Sequence, residues 1–227
     1  MIAFIPAKTN SERLHGKNYK VLNGLPLISY TINVLKKCRA IKEIYVSTDD
    51  VLITTKQIIN DDTVKVVPRS PYINEDNTIV DVFYDFLNYK GLTQGSYGIF
   101  PPTSPLRTIY DVNRGITIHK NWFKIVSVTE YNSLPQFLLK LGEHDKLIIK
   151  NDSPLLSGNT RYQTNDNFFH PNGSFYMGRI DEFLQSKSFF SGNAFGYVMP
   201  KERSIDIDDQ FDFDIAEYFI KRGEYHG

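Results

Sequence analysis

Between Pro6 and Asn18 the chain sets Lys8, Arg13 and Lys17 among the small polar residues Thr9, Asn10 and Ser11. That composition can wrap backbone amides and cations around phosphate oxygens. The loop has neither a Walker lysine after a glycine-rich turn nor a G-x-G-x-x-G fingerprint, so a solvated surface loop with scattered charge is the other reading. Near the other end, Ile205-Asp-Ile-Asp-Asp-Gln-Phe-Asp212 puts Asp206 and Asp208 two residues apart, on one side of the backbone if this stretch is extended. Carboxylates that close repel unless a cation joins them, and hard oxygen donors suit Mg²⁺ that keeps water and substrate phosphate. An acidic first turn of a helix, with Asp208 or Asp209 as the cap, is the alternative.

Two further segments hold candidate residues. Three prolines stiffen Pro101-Pro-Thr-Ser-Pro-Leu-Arg107, which either holds Thr103, Ser104 and Arg107 toward a ligand or makes a rigid crossover capping the next helix. Asn172-Gly-Ser-Phe-Tyr176 reads as a tight turn before a strand, and by itself such a turn more often makes a hairpin than a site.

The elements that must position these residues alternate. Ile2-Ala-Phe-Ile5 is a short apolar run ending at Pro6, a buried strand followed by a long structured loop. Leu27, Tyr30, Val34 and Leu35 then give a helix behind Pro26, and Ile44–Ser47 a second strand. Residues 51–60 read as helix, Val64–Val67 as strand, and Ile79, Val82, Phe83, Phe86 and Leu87 as a helical stripe before the strand Tyr97–Phe100. A helix near 109–121 and the strand Ile125–Val128 continue the pattern, which predicts an α/β domain with a mostly parallel sheet and helices on both faces. From 132 to 175 the alternation fails. A hairpin over Phe137–Ile149 and many Asn, Gly, Pro and Ser residues there suggest an excursion used as a subdomain or dimerisation arm. Ala194–Val198 and an amphipathic helix bearing Phe211, Ile215, Tyr218 and Phe219 bring the chain back. In such sheets ligands bind at the carboxyl ends of strands, so the loops after Ile5, Val67 and Phe100 should surround any site.

Composition narrows the partners. Over 227 residues, 26 Lys+Arg balance 26 Asp+Glu, which argues against duplex nucleic acid and leaves small anionic ligands open. There is no run of membrane-spanning length and no signal-peptide pattern at the start. Cys38 is the single cysteine and the five histidines are scattered, so neither a disulfide nor a thiolate zinc site is expected and a reduced cytoplasm fits.

Taken in order, these segments resemble the acylneuraminate cytidylyltransferase family, enzymes that make CMP-activated sialic, legionaminic, pseudaminic and similar 2-keto sugar acids. The resemblance runs from Ile2 to about Glu217. It rests on Ile5-Pro-Ala-Lys-x-x-Ser11-x-Arg13-Leu-x-x-Lys17-Asn18, Val46-Ser-Thr-Asp49, Arg69 with Asp76 and Thr78, Pro102-Thr-Ser-Pro-Leu-Arg107, Asn172-Gly-Ser-Phe-Tyr176, and Asp206-Ile-Asp208-x-x-x-Asp212-Phe-x-x-Ala216-Glu217.

What the resemblance implies is specific. It implies a single domain over 1–227 with a three-layer Rossmann-like nucleotidyltransferase fold, in which 132–190 includes a dimerisation and sugar-site excursion. It implies a homodimer, with CTP and a sugar acid as substrates. Lys8, Lys17, Asp206 and Asp208 would carry the chemistry, the two aspartates holding Mg²⁺. Asn10, Ser11, Arg13, Asn18, Arg69 and Thr78 would join Lys8 and Lys17 around the nucleotide. Ser104, Gln163, Asn172, Tyr176, Phe189 and Phe190 would line the sugar side. The anomeric C2 hydroxyl would attack the α-phosphorus of CTP in line and pyrophosphate would leave. The chain departs from the family at Lys8 for Arg, Asn10 for Gly and Glu12 for Lys. In sialic-acid-specific members, Gln stands where this chain has Pro101 and Arg where it has Tyr162. Activation of another sugar acid such as Kdo, or a non-catalytic binding relative, are the competing readings.

Overall fold

The computed structural model describes residues 1–9, 13–50, 53, 59, 61–74, 76–121, 124–131, 135–158 and 167–223. The first apolar run forms β1 (Ile2–Ala7), and the loop after it closes in a 3-10 turn at Lys17–Tyr19. A short ladder of β2 (Val21–Leu22) and β3 (Leu25–Pro26) leads into α1 (Leu27–Lys37), which buries its Leu27, Tyr30, Val34 and Leu35 stripe. Next come β4 (Glu43–Thr48) and β5 (Val64–Pro68). The helix expected over 51–60 lies outside the described residues except at Ile53 and Ile59, both buried. Then follow α2 (Ile79–Lys90), β6 (Ser96–Ile99), α3 (Ile109–His119) and β7 (Lys124–Tyr131). Threonine starts both helices: Thr78 with Asp81, and Thr108 with Asp111, make reciprocal capping boxes that satisfy the first free amides.

The hairpin expected within 137–149 is present as β8 (Leu139–Leu141) paired with β9 (Leu147–Ile149). After it come β10 (Phe168–Arg179), α4 (Ile180–Ser186), β11 (Ala194–Val198) and α5 (Gln210–Lys221). β10 corrects the sequence reading. Asn172-Gly173 is not a hairpin turn but an irregularity inside one long strand, whose register against β7 shifts between Pro171 and Tyr176. Residues 168–190 therefore rejoin the main body, and the described part of 132–190 that stands apart from the central sheet is 135–158.

The central sheet has seven strands in the order β11-β7-β10-β6-β1-β4-β5. β1, β4, β5 and β6 run parallel, as do β7 and β11, while β10 is antiparallel to both of its neighbours. β1 connects outward to β4 on one side and pairs with β6 on the other, so the carboxyl ends of β1 and β6 flank a switch point where such sheets bind ligands. One face packs Ile5, Ile28, Leu35, Val46, Val112 and Ile116. The other packs aromatic rings, Phe4, Phe83, Phe86, Tyr97, Phe183 and Phe189. A third cluster joins the ends of the chain: Leu14 and Leu22 from the first loop region, Leu27 and Tyr30 from α1, Ile207, and Phe213 and Ala216 from α5. Among the described residues no helix is long and apolar enough to cross a membrane.

One buried carboxylate couples α3 to the chain's return. Asp111 is fully buried and accepts from Tyr197 (3.0 Å), from Arg203 Nη2 (2.8 Å) and Nε (3.2 Å), and from Thr108 Oγ1 (2.7 Å). Burial pulls its pKa upward, but the bonds from Arg203 and Thr108 outweigh that and hold it below the usual carboxylate range. Asp111→Asn should lower unfolding free energy by about 3 kcal/mol at pH 7, because it strands the Arg203 guanidinium. A lowered native pKa stabilises fully above the unfolded value and is lost as pH falls through the native one. The gap between wild type and variant in urea midpoints should therefore narrow below about pH 3.9.

Candidate active site

The loop after β1 is pinned at several points. Asn18, buried, donates from Nδ2 to the carbonyl of Lys8 at 2.7 Å and closes the loop on itself. Thr9 donates from its backbone N (2.8 Å) and hydroxyl (3.1 Å) to Asp49 at the carboxyl end of β4. Leu14 enters the third apolar cluster beside Ile207. The described parts of the loop are thus tied to the fold at Lys8, Thr9, Leu14 and Asn18.

Ile207 is the peg on the other side. Its side chain is fully buried, its N–H donates to the Thr103 carbonyl at 2.8 Å, and its own carbonyl accepts from Lys17 Nζ at 2.7 Å. Asp206 and Asp208 flank this peg. Asp208 receives Arg13 at 2.9 Å and Lys17 at 3.4 Å, and Thr103 hydrogen-bonds Asp206. The sequence alternatives separate here: Asp209 is the N-cap of α5, accepting from Phe211 and Asp212 backbone amides, and Asp212 accepts from the Asp208 and Asp209 amides. Asp206 and Asp208 stand ahead of the cap, available for another role.

Lys8, Lys17, Asn18 and Arg69 line one cleft of about 260 Å³ together with Pro6, Asn77, Ile79, Val82, Pro101, Pro102 and Thr103. Arg69 arrives from the end of β5, where its backbone N–H bonds the Thr48 carbonyl at 3.1 Å. Desolvation lowers its pKa against the pull of Asp49, and its buried Nε has no hydrogen-bond partner among the described residues. A buried guanidinium edge without an acceptor on the wall of a cleft is a place for a ligand oxygen or carbonyl. Asp206 behaves oppositely. Although its side chain is exposed, the crowd of protein around its carboxyl raises its pKa, the Thr103 bond lowers it, the charge of Asp208 raises it again, Lys17 lowers it and Asp212 raises it. Among the described residues no group of three or more His, Cys, Asp or Glu side chains gathers for a metal, so a hard cation on these two carboxylates would need water and ligand oxygens to complete its shell.

Several candidate residues have other duties. Thr78 caps α2, its hydroxyl donating to Asp81 at 2.8 Å, and its neighbour Asn77 faces the cleft in its place. Ser104 is buried, and it is Pro101, Pro102 and Thr103 of that loop that line the cleft. Arg107 does not point at a ligand: fully buried, it donates to the Ser174 carbonyl, to Thr31 Oγ1 (2.7 Å) and to the Pro101 carbonyl (3.4 Å), locking the proline loop to β10. Asn172 is also buried, donating to Ser204 at 2.8 Å. Phe189 stacks on Tyr176 at 5.0 Å and on Phe183 at 5.4 Å as part of the core, while exposed Phe190 meets Tyr176 edge-on at 6.0 Å. Tyr176 lies near Asp206, for burial and that carboxylate together raise its pKa. Asn10, Ser11 and Gln163 lie outside the described residues.

Sequence reasoning did not single out Asn77, Ile79 and Val82 as cleft residues. The last two carried a signal, but it was the helical stripe of a core helix, and only the position of the α2 N-terminus beside β1 turns that stripe into a wall. Ile207 was also passed over, since a lone isoleucine between aspartates carries no chemistry of its own.

Comparison with known proteins agrees with this architecture. The N-acylneuraminate cytidylyltransferase of Streptococcus agalactiae serotype V is 29% identical over 219 residues, which cover 93% of this chain and 51% of that protein. A CMP-N,N'-diacetyllegionaminic acid synthase of Legionella pneumophila is 29% identical over 234 residues, 97% of this chain and 96% of that protein. The chain thus spans about half the length of the acylneuraminate relatives it matches and nearly all of the legionaminic one. A solved CMP:2-keto-3-deoxy-manno-octonic acid synthetase complexed with CTP shares the fold with TM-score 0.71 at 14% identity, over 98% of both chains. The sequence model described as cytidylyltransferase matches residues 2–157, the stretch holding the first loop, Arg69 and the proline loop, and the chain belongs to that cytidylyltransferase family.

Proposed function

We propose that the chain transfers a cytidylyl group from CTP to the anomeric hydroxyl of a 2-keto sugar acid of the sialic or legionaminic kind, releasing pyrophosphate. The observation that carries this reading is the junction at Lys17. One ammonium on the wall of the cleft touches both the Ile207 carbonyl and Asp208, so Lys17 links the cationic loop to the segment that carries the two aspartates, 191 positions away at Asp208. The names of the relatives support the donor and acceptor classes.

In the reaction the hydroxyl oxygen on C2 bonds to the α-phosphorus, the bond from that phosphorus to the bridging oxygen breaks, pyrophosphate leaves with the electron pair, and the hydroxyl proton passes to solvent. Negative charge gathers on phosphate oxygens, so the chain's contribution is positioning and electrostatics. Lys8 and Lys17 face those oxygens. Arg69 and Asn77 offer donors on the nucleotide side, and Pro101 and Pro102 give a stiff wall that excludes water. Asp206 and Asp208 would hold Mg²⁺, which neutralises and orients the phosphates when bound. Arg13, now on Asp208, is free to turn to phosphate once a cation satisfies that carboxylate. Tyr176 and Phe190 form the sugar side.

We assign the β8–β9 hairpin to a second copy of the chain. Leu139, Leu141 and the Leu147 that pairs with Leu141 share one side of the hairpin and are 42%, 68% and 54% exposed, an apolar face that favours burial in a homodimer. With CTP as donor, the reaction belongs in the cytoplasm.

Pyrophosphate release measured with CTP, Mg²⁺ and a panel of 2-keto sugar acids tests the proposal. Release that requires one of the acids is expected, whereas saturable CTP binding without turnover on any of them contradicts it. Asp208→Asn should cut kcat by about 10²–10³-fold with an unchanged circular dichroism spectrum, and unaltered Mg²⁺ dependence would reject the metal assignment. Lys8→Arg should keep or raise turnover, since the planar fork gains contacts to phosphate; loss of activity would mean the loop is shaped around the smaller ammonium.

A further inference from the structure

The irregularity in β10 lies directly under one of the two carboxylates. Gly173 has φ +70°, and a Cβ built on it would fall 2.6 Å from Asp206 Oδ2, 3.0 Å from Cγ and 3.4 Å from Oδ1. No ordinary side chain tolerates an oxygen that near, so any residue but glycine would push the Asp206 carboxylate off its place. The Asp206 side chain is exposed and can swing away from such a Cβ, but only by moving relative to Asp208. Thr103 bonds it from the proline loop, and the neighbouring peptide is fixed by the Ile207 N–H on the Thr103 carbonyl. Asn172 tethers the approach to it, donating to Ser204, whose hydroxyl in turn bonds the Pro200 carbonyl at 2.8 Å. On the far side of the bulge, Arg107 holds the Ser174 carbonyl. The bulge is thus anchored on both flanks, with the one side-chain-free position facing the carboxylate.

We propose that Asn172 and Gly173 are positioning residues: the bulge they form sets where the Asp206 carboxylate stands relative to Asp208, and so whether the pair can share a divalent cation. The inference rests on the metal reading above and goes beyond it, since neither residue touches substrate in this role. It also gives Asn172 a duty other than sugar contact. Bulges re-aim side chains beside active sites in this manner, and here the re-aimed group belongs to a different segment of the chain.

The test uses the full chain with Mn²⁺ as a paramagnetic probe. In the presence of CTP, Gly173→Ala should weaken Mn²⁺ binding, read by electron paramagnetic resonance, by about tenfold or more, and raise the Mg²⁺ concentration for half-maximal pyrophosphate release by a similar factor. CTP affinity without metal should change less than about twofold, because the cationic loop is untouched. Gly173→Asn separates space from backbone strain: Asn accepts a positive φ far better than Ala but carries the same Cβ, so it should lose Mn²⁺ just as much. Wild-type Mn²⁺ affinity in Gly173→Ala, or its recovery in Gly173→Asn, overturns the proposal. If neither variant folds, Asn172→Ala decides: weaker Mn²⁺ binding of about threefold or more supports it, and unchanged binding overturns it. Asp206→Asn and Asp208→Asn run alongside keep the two claims apart. Loss of Mn²⁺ in those two with retention in the position-173 variants sinks this inference alone, while retention in all of them sinks the metal reading on which it stands.

Discussion

The burial of Ile207 is the constraint on which the site depends. A fully buried isoleucine, wedged among Leu14, Leu22, Leu27, Tyr30 and Phe213, fixes a peptide with no regular secondary structure of its own. Its N–H is spent on Thr103 and its carbonyl on Lys17. Alternation then does the rest: with the middle residue inward, the aspartates on either side are turned outward, Asp206 exposed and Asp208 partly so. Burying such a side chain contributes roughly 2–3 kcal/mol, enough to hold a loop that charge repulsion would otherwise open.

That repulsion is visible in the electrostatics. Desolvation and the neighbouring charges of Asp208 and Asp212 lift the Asp206 pKa, while Arg13 and Lys17 crowd around Asp208. On the cleft wall, Arg69 keeps a buried Nε without an acceptor among the described residues. A carboxylate pair beside two cations and a guanidinium edge in want of an acceptor are complementary to a ligand that carries phosphate on a cation. The fold keeps the two halves from collapsing on each other through a chain of buried bonds, Arg107 to Thr31, Pro101 and Ser174, and Asn172 to Ser204.

Much of the scaffold was legible in the sequence, because apolar periodicity reports burial directly. β1, α1, β4, β5, α2, β6, α3, β7 and the β8–β9 hairpin stand where their patterns predict. Side-chain type pointed to Lys8, Lys17 and Arg69, which the fold brings to one cleft, and to the aspartate pair, which Lys17 ties to it at Asp208. The site was not legible where orientation decides. Thr78 and Asn77 are equally polar, and only the cap geometry says which one faces the cleft. Ser104 and Arg107 look like ligand contacts on a stiff loop, yet one is buried and the other is spent on three backbone and hydroxyl acceptors. Asn172-Gly173 reads as a hairpin because local turn chemistry is the same in a bulge; what differs is the pairing of the flanking residues with β7 and β6, which no local pattern encodes.

The central claim is that Lys17 and Asp208 act on one ligand in one cleft. Calorimetric titration of CTP with Mg²⁺ into the wild type, Lys17→Ala, Asp208→Asn and the double variant measures it most directly. The account predicts that the two losses are not additive, with a coupling of about 1–3 kcal/mol. Losses that add to within about 0.5 kcal/mol would mean that the two residues serve separate sites.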